Sequence, residues 1–441
     1  MKKKIRIKKF MMTKEQIVEA IFKVLSENMA HPNMDKFHSD ARLLEDLALD
    51  SSMVLQMLML LEVEHEIAID ESALMNEDFE TVRAVADTLY KGQNLPKYEK
   101  GLEVYEDVKI HCVASNLAEI VKRFPELDHR ILYFAVSDAN ACINDRYVLT
   151  YHDENINHDI FFDWYEHLYG MPIHAWYDKQ ASKEDNLAKL ENLVENRQPD
   201  QHIMVMLDMF HLPERENEFN KDPFPHYVML GPTNNPDLWF MYDPDYRWEG
   251  VFRKDRILNA VSQPTVSGGY LFSEVGARPT PAEAVNAFFE ASVVRDANPV
   301  TDMIREIIQA HIRGKDKNGE PLPLDNLIKA VEEIPVMSPR KYAYEHGFAF
   351  FWRELGLPEP EFDDWCDVID ELAKNYKLIQ FNAMKLSVTK NEAFGDKLFQ
   401  LLDQQDEREF RLKKRLIEVK DIWAEKVLKS SDAQQLERVS Q

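Results

Sequence analysis

Hydrophobic residues recur every three to four positions near both ends of this 441-residue chain, whereas they form short unbroken runs in its middle. The first pattern predicts amphipathic helices, and the second predicts buried strands. Helices are predicted at 13–29, 79–90, 113–124, 280–293 and 407–428. Strands are predicted at 131–136, 147–152, 202–210, 226–231 and 238–243. This order indicates a multidomain protein of the α and α+β classes.

Changes in composition along the chain predict five segments. A basic tail at 1–12 precedes a helical unit at 13–92, and a linker at 93–106 follows, marked by Pro96, Gly101 and mixed charge. The mixed unit is placed at 107–275 and a helical C-terminal region at 276–441. The basic tail is not followed by an apolar stretch and a small-residue cleavage site, so it does not resemble a secretory signal.

Charge and cysteine content narrow the classes of partner. The chain has 78 acidic and 53 basic residues, a formal net charge of −25. Such a charge disfavours nucleic acid and anionic membranes and favours cationic partners, polyamines among them. The three cysteines form no CxxC pair, so we predict neither a disulfide framework nor a metal site, and we expect a cytoplasmic protein. The longest apolar run, 57–61, is too short to span a bilayer.

The helical unit contains an Asp50-Ser51 pair at the predicted start of a helix. Asp50 is a suitable N-cap, and a hydroxyl in the first helical turn is exposed where helix N–H groups favour an anion. A long helix, a long loop, a helix that begins at Asp-Ser and a closing helix resemble the four-helix acyl carrier proteins. The resemblance implies that 4'-phosphopantetheine is attached to Ser51, with the neighbouring Ser52 as the alternative.

The helix after this pair departs from typical carriers, because it has no charge before Glu62. Residues 13–96 contain 17 acidic and 6 basic residues, a field suited to basic patches on partner enzymes. Met53 and Met57 occupy positions where carriers usually have acidic residues. Methionine is an adaptable contact residue, so we hypothesise an apolar docking surface; a place in the core is the alternative.

The mixed unit contains a cysteine, a histidine and an aspartate at informative places. Cys112 lies at a predicted helix start, where the helix dipole favours a thiolate; His226 lies on a predicted strand, and Asp243 ends the next one. This is the chain order of papain-like enzymes. It predicts Cys112 as nucleophile, His226 as base and later acid, and Asp243 as the residue that orients the imidazole. Direct attack by an amine, with His226 as base and no acyl-enzyme, remains open.

The spacing resembles the cysteine peptidases that cleave double-glycine leaders and, more closely, the butirosin-biosynthesis protein H family, which transfers acyl groups from carrier thioesters to amines. The whole chain resembles a petrobactin-biosynthesis acyl carrier protein fused to the amide-forming acyltransferase of that pathway. The segments that carry this resemblance are LDSSMVLQML, KIHCVASNLAEIVKR, VMLDMFHLPERENEFNKDPFPHYVML and WFMYDPDYRWEGVFRKDRILNAV.

The resemblance implies siderophore biosynthesis, in which a 3,4-dihydroxybenzoyl thioester is passed to a primary amine of spermidine or citryl-spermidine. It implies a phosphopantetheinyl transferase as partner, and an aryl-activating ligase must load the arm because no ATP-binding motif is present. Asp208, Glu214, Asp245 and Trp248 are predicted to bind the amine. A thioesterase or peptidase-like hydrolase, or an inert scaffold that presents the acyl group to another enzyme, are the alternative functions.

Overall fold

A computed structural model of the chain describes residues 12–65, 67, 69, 79–92, 110–138, 141–153, 156, 158–212 and 222–439, with only the backbone at 91–92 and 429–439. The predicted tail, apart from Met12, lies outside the described residues. So do the predicted linker and Glu214.

The N-terminal unit consists of helices around a buried aliphatic core. Helix α1 (Lys14–Lys23) starts at a reciprocal capping box between Thr13 and Gln16 and continues into a π-helical turn, Val24–Asn28. Helix α2 (Ser51–His65) is capped by Asp50, whose Oδ1 accepts a hydrogen bond from the Met53 N–H at 2.8 Å. Helix α3 (Val82–Gly92) follows. The described residues of this unit thus include three α-helices.

The middle of the chain is built on a six-stranded sheet in which every neighbouring pair is antiparallel. The strands are β3 (Ile173–Ala175), β4 (Gln201–Asp208), β5 (Pro225–Pro232), β6 (Leu238–Asp243), β7 (Trp248–Arg253) and β8 (Gly269–Ser273). Their order in the sheet is β3-β8-β4-β5-β6-β7. Helices α4 (Cys112–Val121), α5 (Asp159–Tyr169), α6 (Lys183–Glu195) and α7 (Lys254–Ser262) belong to the same part of the chain. A separate two-stranded sheet pairs β1 (Cys142–Ile143) with β2 (Leu149–Thr150).

The strands predicted at 202–210, 226–231 and 238–243 are confirmed as β4, β5 and β6. The prediction at 131–136 is wrong, because those residues belong to a 3₁₀-helix, His129–Ala135. Residues 131–135 are all buried, and a short run buried on every side carries no periodicity that separates strand from helix. The prediction at 147–152 is too long, since only Leu149–Thr150 pairs.

In the C-terminal region, from Ala282 to Val439, all the regular elements are helices. Helices α8 (Ala282–Ser292), α9 (Pro299–Arg313), α10 (Leu327–Ala330) and α11 (Ile334–Met337) lead to a 3₁₀ turn, Ser338–Tyr342. Three more helices follow, the last two of them long: α12 (Ala343–Leu355), α13 (Glu359–Thr389) and α14 (Glu392–Val439). No helix in the described ranges has both the length and the apolar character needed to cross a bilayer.

One hydrophobic cluster joins the two ends of the chain. It contains residues of α1, α2 and α3 together with residues of α9, α13 and α14. Met57 is fully buried in this cluster, and Met53 packs against it half-buried. Met57 therefore belongs to the core, as the alternative interpretation of that methionine proposed.

Candidate active site

Cys112 is the first residue of α4, and the side chains of His111 and Asn116 hold the start of this helix in place. His111 is its N-cap, and the ring Nδ1 accepts a hydrogen bond from the Ala114 N–H at 3.4 Å. Asn116, fully buried, donates to the Cys112 carbonyl at 2.7 Å and to the Tyr227 carbonyl on β5 at 2.9 Å. The cysteine helix is thus fixed against the strand that carries His226.

His226 and Asp243 form the hydrogen-bonded pair that the sequence predicts. His226 Nε2 lies 3.0 Å from Asp243 Oδ1, and both side chains are buried. The imidazole ring lies parallel to the Phe224 ring and edge-on to the Tyr246 ring. The Cys112 side chain is a further hydrogen-bond partner of His226, so the three residues form one connected group.

The protonation of His226 reflects a balance between burial and negative charge. Burial disfavours the imidazolium, but the Asp243 carboxylate and the hydrogen-bonded Cys112 sulfur outweigh it and raise the pKa of His226 well above its ordinary value. The surroundings thus favour the protonated ring, which lies between a carboxylate and a sulfur. A protonated histidine beside a cysteine stabilises a thiolate nucleophile.

Asp245 belongs to this arrangement in a way that the sequence did not indicate. Its Oδ1 accepts hydrogen bonds from the N–H groups of Ile110 (3.3 Å) and His111 (3.2 Å) and from the Ser115 hydroxyl (2.7 Å). Burial raises the pKa of Asp245 from its ordinary value, while His226 and the Ser115 hydrogen bond oppose the rise. The end of β6 thus supplies the partner of the imidazole, and the turn that follows it supplies the anchor of the cysteine helix.

Arg340, in the 3₁₀ turn after α11, is a buried cation that lines the same cavity as Cys112. Its guanidinium lies 5.9 Å from the centre of the Tyr151 ring. Burial lowers the pKa of Arg340 from its ordinary value, and the nearby Cys112 and Tyr151 side chains counteract it. Arginine keeps its charge in such surroundings. Nothing in the local sequence marks this residue, because only the tertiary fold brings the C-terminal turn to the cysteine.

The neighbouring Lys341 fixes this turn through a buried charge network. Lys341 Nζ donates to the Ser137 carbonyl at 2.8 Å and pairs with Glu409 on α14. Lys413 pairs with Asp138 at 2.9 Å in the same network. All four charged side chains are almost completely removed from solvent. The backbone that carries Arg340 is therefore connected to the longest helix of the C-terminal region.

A cavity of about 860 Å³ connects these groups with the start of α2. Its walls include Ser51, Ser52 and Met53 of α2, and also Cys112 and His226. Segments 144–152 and 328–340 provide most of the remaining lining. Ser51 is exposed, and its cavity is large enough for a ligand of cofactor size. Ser51 and Cys112, the two reactive side chains that the sequence analysis identified, thus line the same cavity.

The predicted amine-binding residues are not brought together. Asp208 is buried outside the cavity lining, and its oxygens accept hydrogen bonds from the N–H groups of Phe210 and Phe224 and from the Thr265 hydroxyl. Trp248 lies on β7 against Phe252 and is likewise outside the lining. Asp245 lines the cavity but binds the start of α4. Of these three residues the structure places Asp245 in the lining, and the amine-binding role of all three stays a prediction, while Glu214 lies outside the described residues.

Other carboxylates line the cavity and were missed by the sequence analysis. They are Asp50, Asp222, Glu332 and Glu333. The two glutamates come from the C-terminal region, which no local motif connects to the cysteine. A cationic substrate in this cavity would meet these carboxylates as well as Arg340.

Three protein-family models match successive parts of the chain. The phosphopantetheine attachment site family matches residues 19–89, and the DUF6005 N-terminal and C-terminal domains match residues 107–277 and 283–437. Petrobactin synthase of Bacillus anthracis is 37% identical over 309 residues, which cover 70% of this chain and 93% of the relative. The chain belongs to the petrobactin synthase family.

This member of the petrobactin synthase family carries an acyl carrier domain fused to an acyltransferase-like region, as the sequence resemblance predicted. The cofactor of the carrier domain is 4'-phosphopantetheine. The matched range includes Ser51, whose exposed hydroxyl at a helix N-terminus suits attachment of a phosphodiester.

Proposed function

We propose that this protein is a papain-like cysteine acyltransferase that holds its acyl donor on Ser51 and transfers the acyl group to an amine. The observation that carries the proposal is the shared cavity, which Ser51 and Cys112 both line. The papain-like assignment is supported by the cysteine at the start of α4, the histidine on β5 and the aspartate at the end of β6.

Ser51 is favoured over Ser52 as the attachment residue. The Ser51 hydroxyl is exposed, whereas the Ser52 hydroxyl accepts a hydrogen bond from Gln380 at 3.2 Å. The first-turn N–H groups of α2 would stabilise the phosphodiester anion at Ser51. When bound, 4'-phosphopantetheine supplies a flexible arm with a terminal thiol that carries the acyl group as a thioester.

Cys112 and His226 divide the chemistry of the first half-reaction between them. The Cys112 thiolate adds to the carbonyl carbon of the acyl thioester, and the carbonyl π electrons move to the oxygen. Arg340 and the first N–H groups of α4 would stabilise that negative charge. As the carbonyl re-forms and the carbon–sulfur bond to the donor breaks, His226 would give its proton to the departing thiol. The acyl group is then on Cys112 and His226 is neutral.

The second half-reaction restores both residues. An amine adds to the Cys112 thioester, gives a proton to the neutral His226 and displaces the Cys112 thiolate, so that an amide leaves and the ion pair re-forms. Direct attack of the amine with His226 as the only base is less favoured, because the surroundings that raise the pKa of His226 favour the protonated ring, which has no free site to accept the amine proton.

The relative's name and the cavity carboxylates support a polyamine as acceptor in siderophore biosynthesis. We propose 3,4-dihydroxybenzoyl as the acyl group and spermidine or citryl-spermidine as the amine. A phosphopantetheinyl transferase would modify Ser51, and an aryl-activating ligase would load the arm.

The test uses the purified full chain, loaded with 3,4-dihydroxybenzoyl-phosphopantetheine and incubated with spermidine. Liquid chromatography with mass spectrometry should detect the aryl amide, and Cys112→Ala should abolish it. Release of free acid alone would indicate a hydrolase, and unchanged loaded protein would indicate a scaffold for another enzyme. Either result would contradict the proposal.

A further inference from the structure

Helix α2 of the carrier domain packs against α13 of the C-terminal region. Leu55, Leu58 and Leu61 of α2 belong to the same buried cluster as Leu378, Ile379 and Phe381 of α13. The bonded residues Ser52 and Gln380 are 328 positions apart in sequence, so this contact is a tertiary association between the carrier and the region that follows the acyltransferase-like unit. Apolar packing of this kind holds a preferred orientation.

Two polar contacts fix the orientation of α2 on α13. Near the start of α2, Gln380 Nε2 donates to the Ser52 hydroxyl at 3.2 Å and to the Val331 carbonyl at 3.1 Å. Near its end, Lys385 Nζ pairs with Glu62 at 2.7 Å, with the lysine side chain only 8% exposed. The Lys385 ammonium also lies over the Phe381 and Phe394 rings.

These contacts distinguish the two serine hydroxyls. Both serines line the cavity that Cys112 also lines, but the Ser52 hydroxyl is bonded to Gln380 of α13, whereas Ser51 is exposed. The α13 surface therefore holds the carrier with its attachment residue directed to the reactive centre of the same chain.

We propose that the α2–α13 contact is the delivery interface of this protein: the C-terminal helical region is a receptor for the carrier domain, and transfer proceeds within one chain. The proposal rests on the proposed acyltransferase function. Covalent tethering keeps the local carrier concentration high, so a modest interface is sufficient to position the arm.

Charge reversal across the interface tests this directly. Lys385→Glu places two carboxylates together, and we expect carrier-dependent transfer to fall roughly tenfold; adding Glu62→Lys should restore it. Lys426→Glu, at an exposed position of α14, is the matched control and should leave transfer unchanged. Loss in Lys385→Glu without rescue in the double variant would overturn the interface.

Two further measurements separate this inference from the proposed function. Hydrogen exchange of the unmodified chain should show faster exchange in α2 and α13 for Lys385→Glu and recovery in the double variant. A free acyl-pantetheine donor should be consumed equally by wild type and Lys385→Glu, because it needs no docked carrier. If neither the wild type nor any variant consumes the free donor, the proposed acyltransferase function is contradicted. If hydrogen exchange in Lys385→Glu is unchanged, only the proposed interface is contradicted.

A mixing experiment tests transfer within the chain. Ser51→Ala retains Cys112, and Cys112→Ala retains the loaded arm, so transfer between chains would restore activity in a mixture. We expect the mixture to reach less than a tenth of the wild-type rate at micromolar protein, where tethering gives the intramolecular route its advantage. Restoration towards half of the wild-type rate would overturn transfer within one chain.

Discussion

Ser51 and Cys112 are both the first residue of a helix and both line one cavity, but their surroundings differ. Ser51 is exposed, and the cap of its helix is a single aspartate. Cys112 is half-buried, and His226, Asp245 and Arg340 surround it. Helix N-termini favour negative charge in both cases. The first site is therefore suited to display a group that another enzyme attaches, and the second to perform chemistry with a fixed charge environment.

Replacing Ser51 or Cys112 should have the largest effect on acyl transfer, and it should separate the carrier role of Ser51 from the catalytic role of Cys112. Cys112→Ala should lower transfer by about 10³-fold or more with both loaded carrier and free acyl-pantetheine, because the nucleophile is lost. Ser51→Ala should abolish loading yet keep turnover of the free donor. Steady-state rates with each donor measure this. Equal loss of both activities in Ser51→Ala would contradict the division of roles.

The buried charge network of Lys341 and Glu409, which fixes the turn that carries Arg340, should contribute strongly to the stability of the fold around the cysteine site. Lys341→Met leaves Glu409 buried without its lysine, and we expect a loss of about 3–5 kcal/mol in the free energy of unfolding. Denaturant unfolding measures it. Lys341→Met combined with Glu409→Leu should recover much of this loss. No recovery would show that the lysine acts through packing instead of charge.

Asp245 should affect the reactivity of Cys112 more than its accessibility. Asp245→Ala removes the acceptor for two N–H groups and one hydroxyl, so the start of α4 loses its anchor. We expect the alkylation rate of Cys112 by iodoacetamide to fall roughly tenfold, at a stability cost of about 1–3 kcal/mol. Asp245→Asn, which keeps an acceptor oxygen, should retain most of the stability. An unchanged pH profile of alkylation in both variants would contradict a positioning role.

The pKa of His226 gives the smallest and most specific test. Because Cys112 contributes to the raised value, Cys112→Ala should lower the pKa of His226 relative to wild type, with Asp243 still holding it up. A raised histidine pKa adds stability below the unfolded value near 6.5 and loses it as the pH rises through the folded value. The decline should therefore begin near the same pH in both proteins and be complete at lower pH in the variant. Imidazole NMR titration measures the pKa, and no change would exclude a Cys112–His226 interaction.

The sequence predicted those parts of the site that depend on local order. The signals for these parts lie within the segments themselves. Capping residues mark the helix starts at Ser51 and Cys112, and short apolar runs mark the strands β5 and β6. Arg340 and the Gln380–Ser52 contact could not be predicted, because they join segments hundreds of residues apart. The predicted amine-binding residues show the same limit: Asp208 and Asp245 are near His226 in sequence, but the sequence does not reveal that their carboxylates accept hydrogen bonds from backbone N–H groups.

The central claim is that the acyl group passes from Ser51 to Cys112 across their shared cavity. The most direct measurement is peptide mass spectrometry of the full chain after loading with 3,4-dihydroxybenzoyl thioester and incubation without amine. The account predicts the acyl mass on the peptide that contains Cys112, and its absence when the same loading mixture is used with Ser51→Ala. Acyl mass confined to the Ser51 arm, in a chain that still forms amide when spermidine is added, would contradict it.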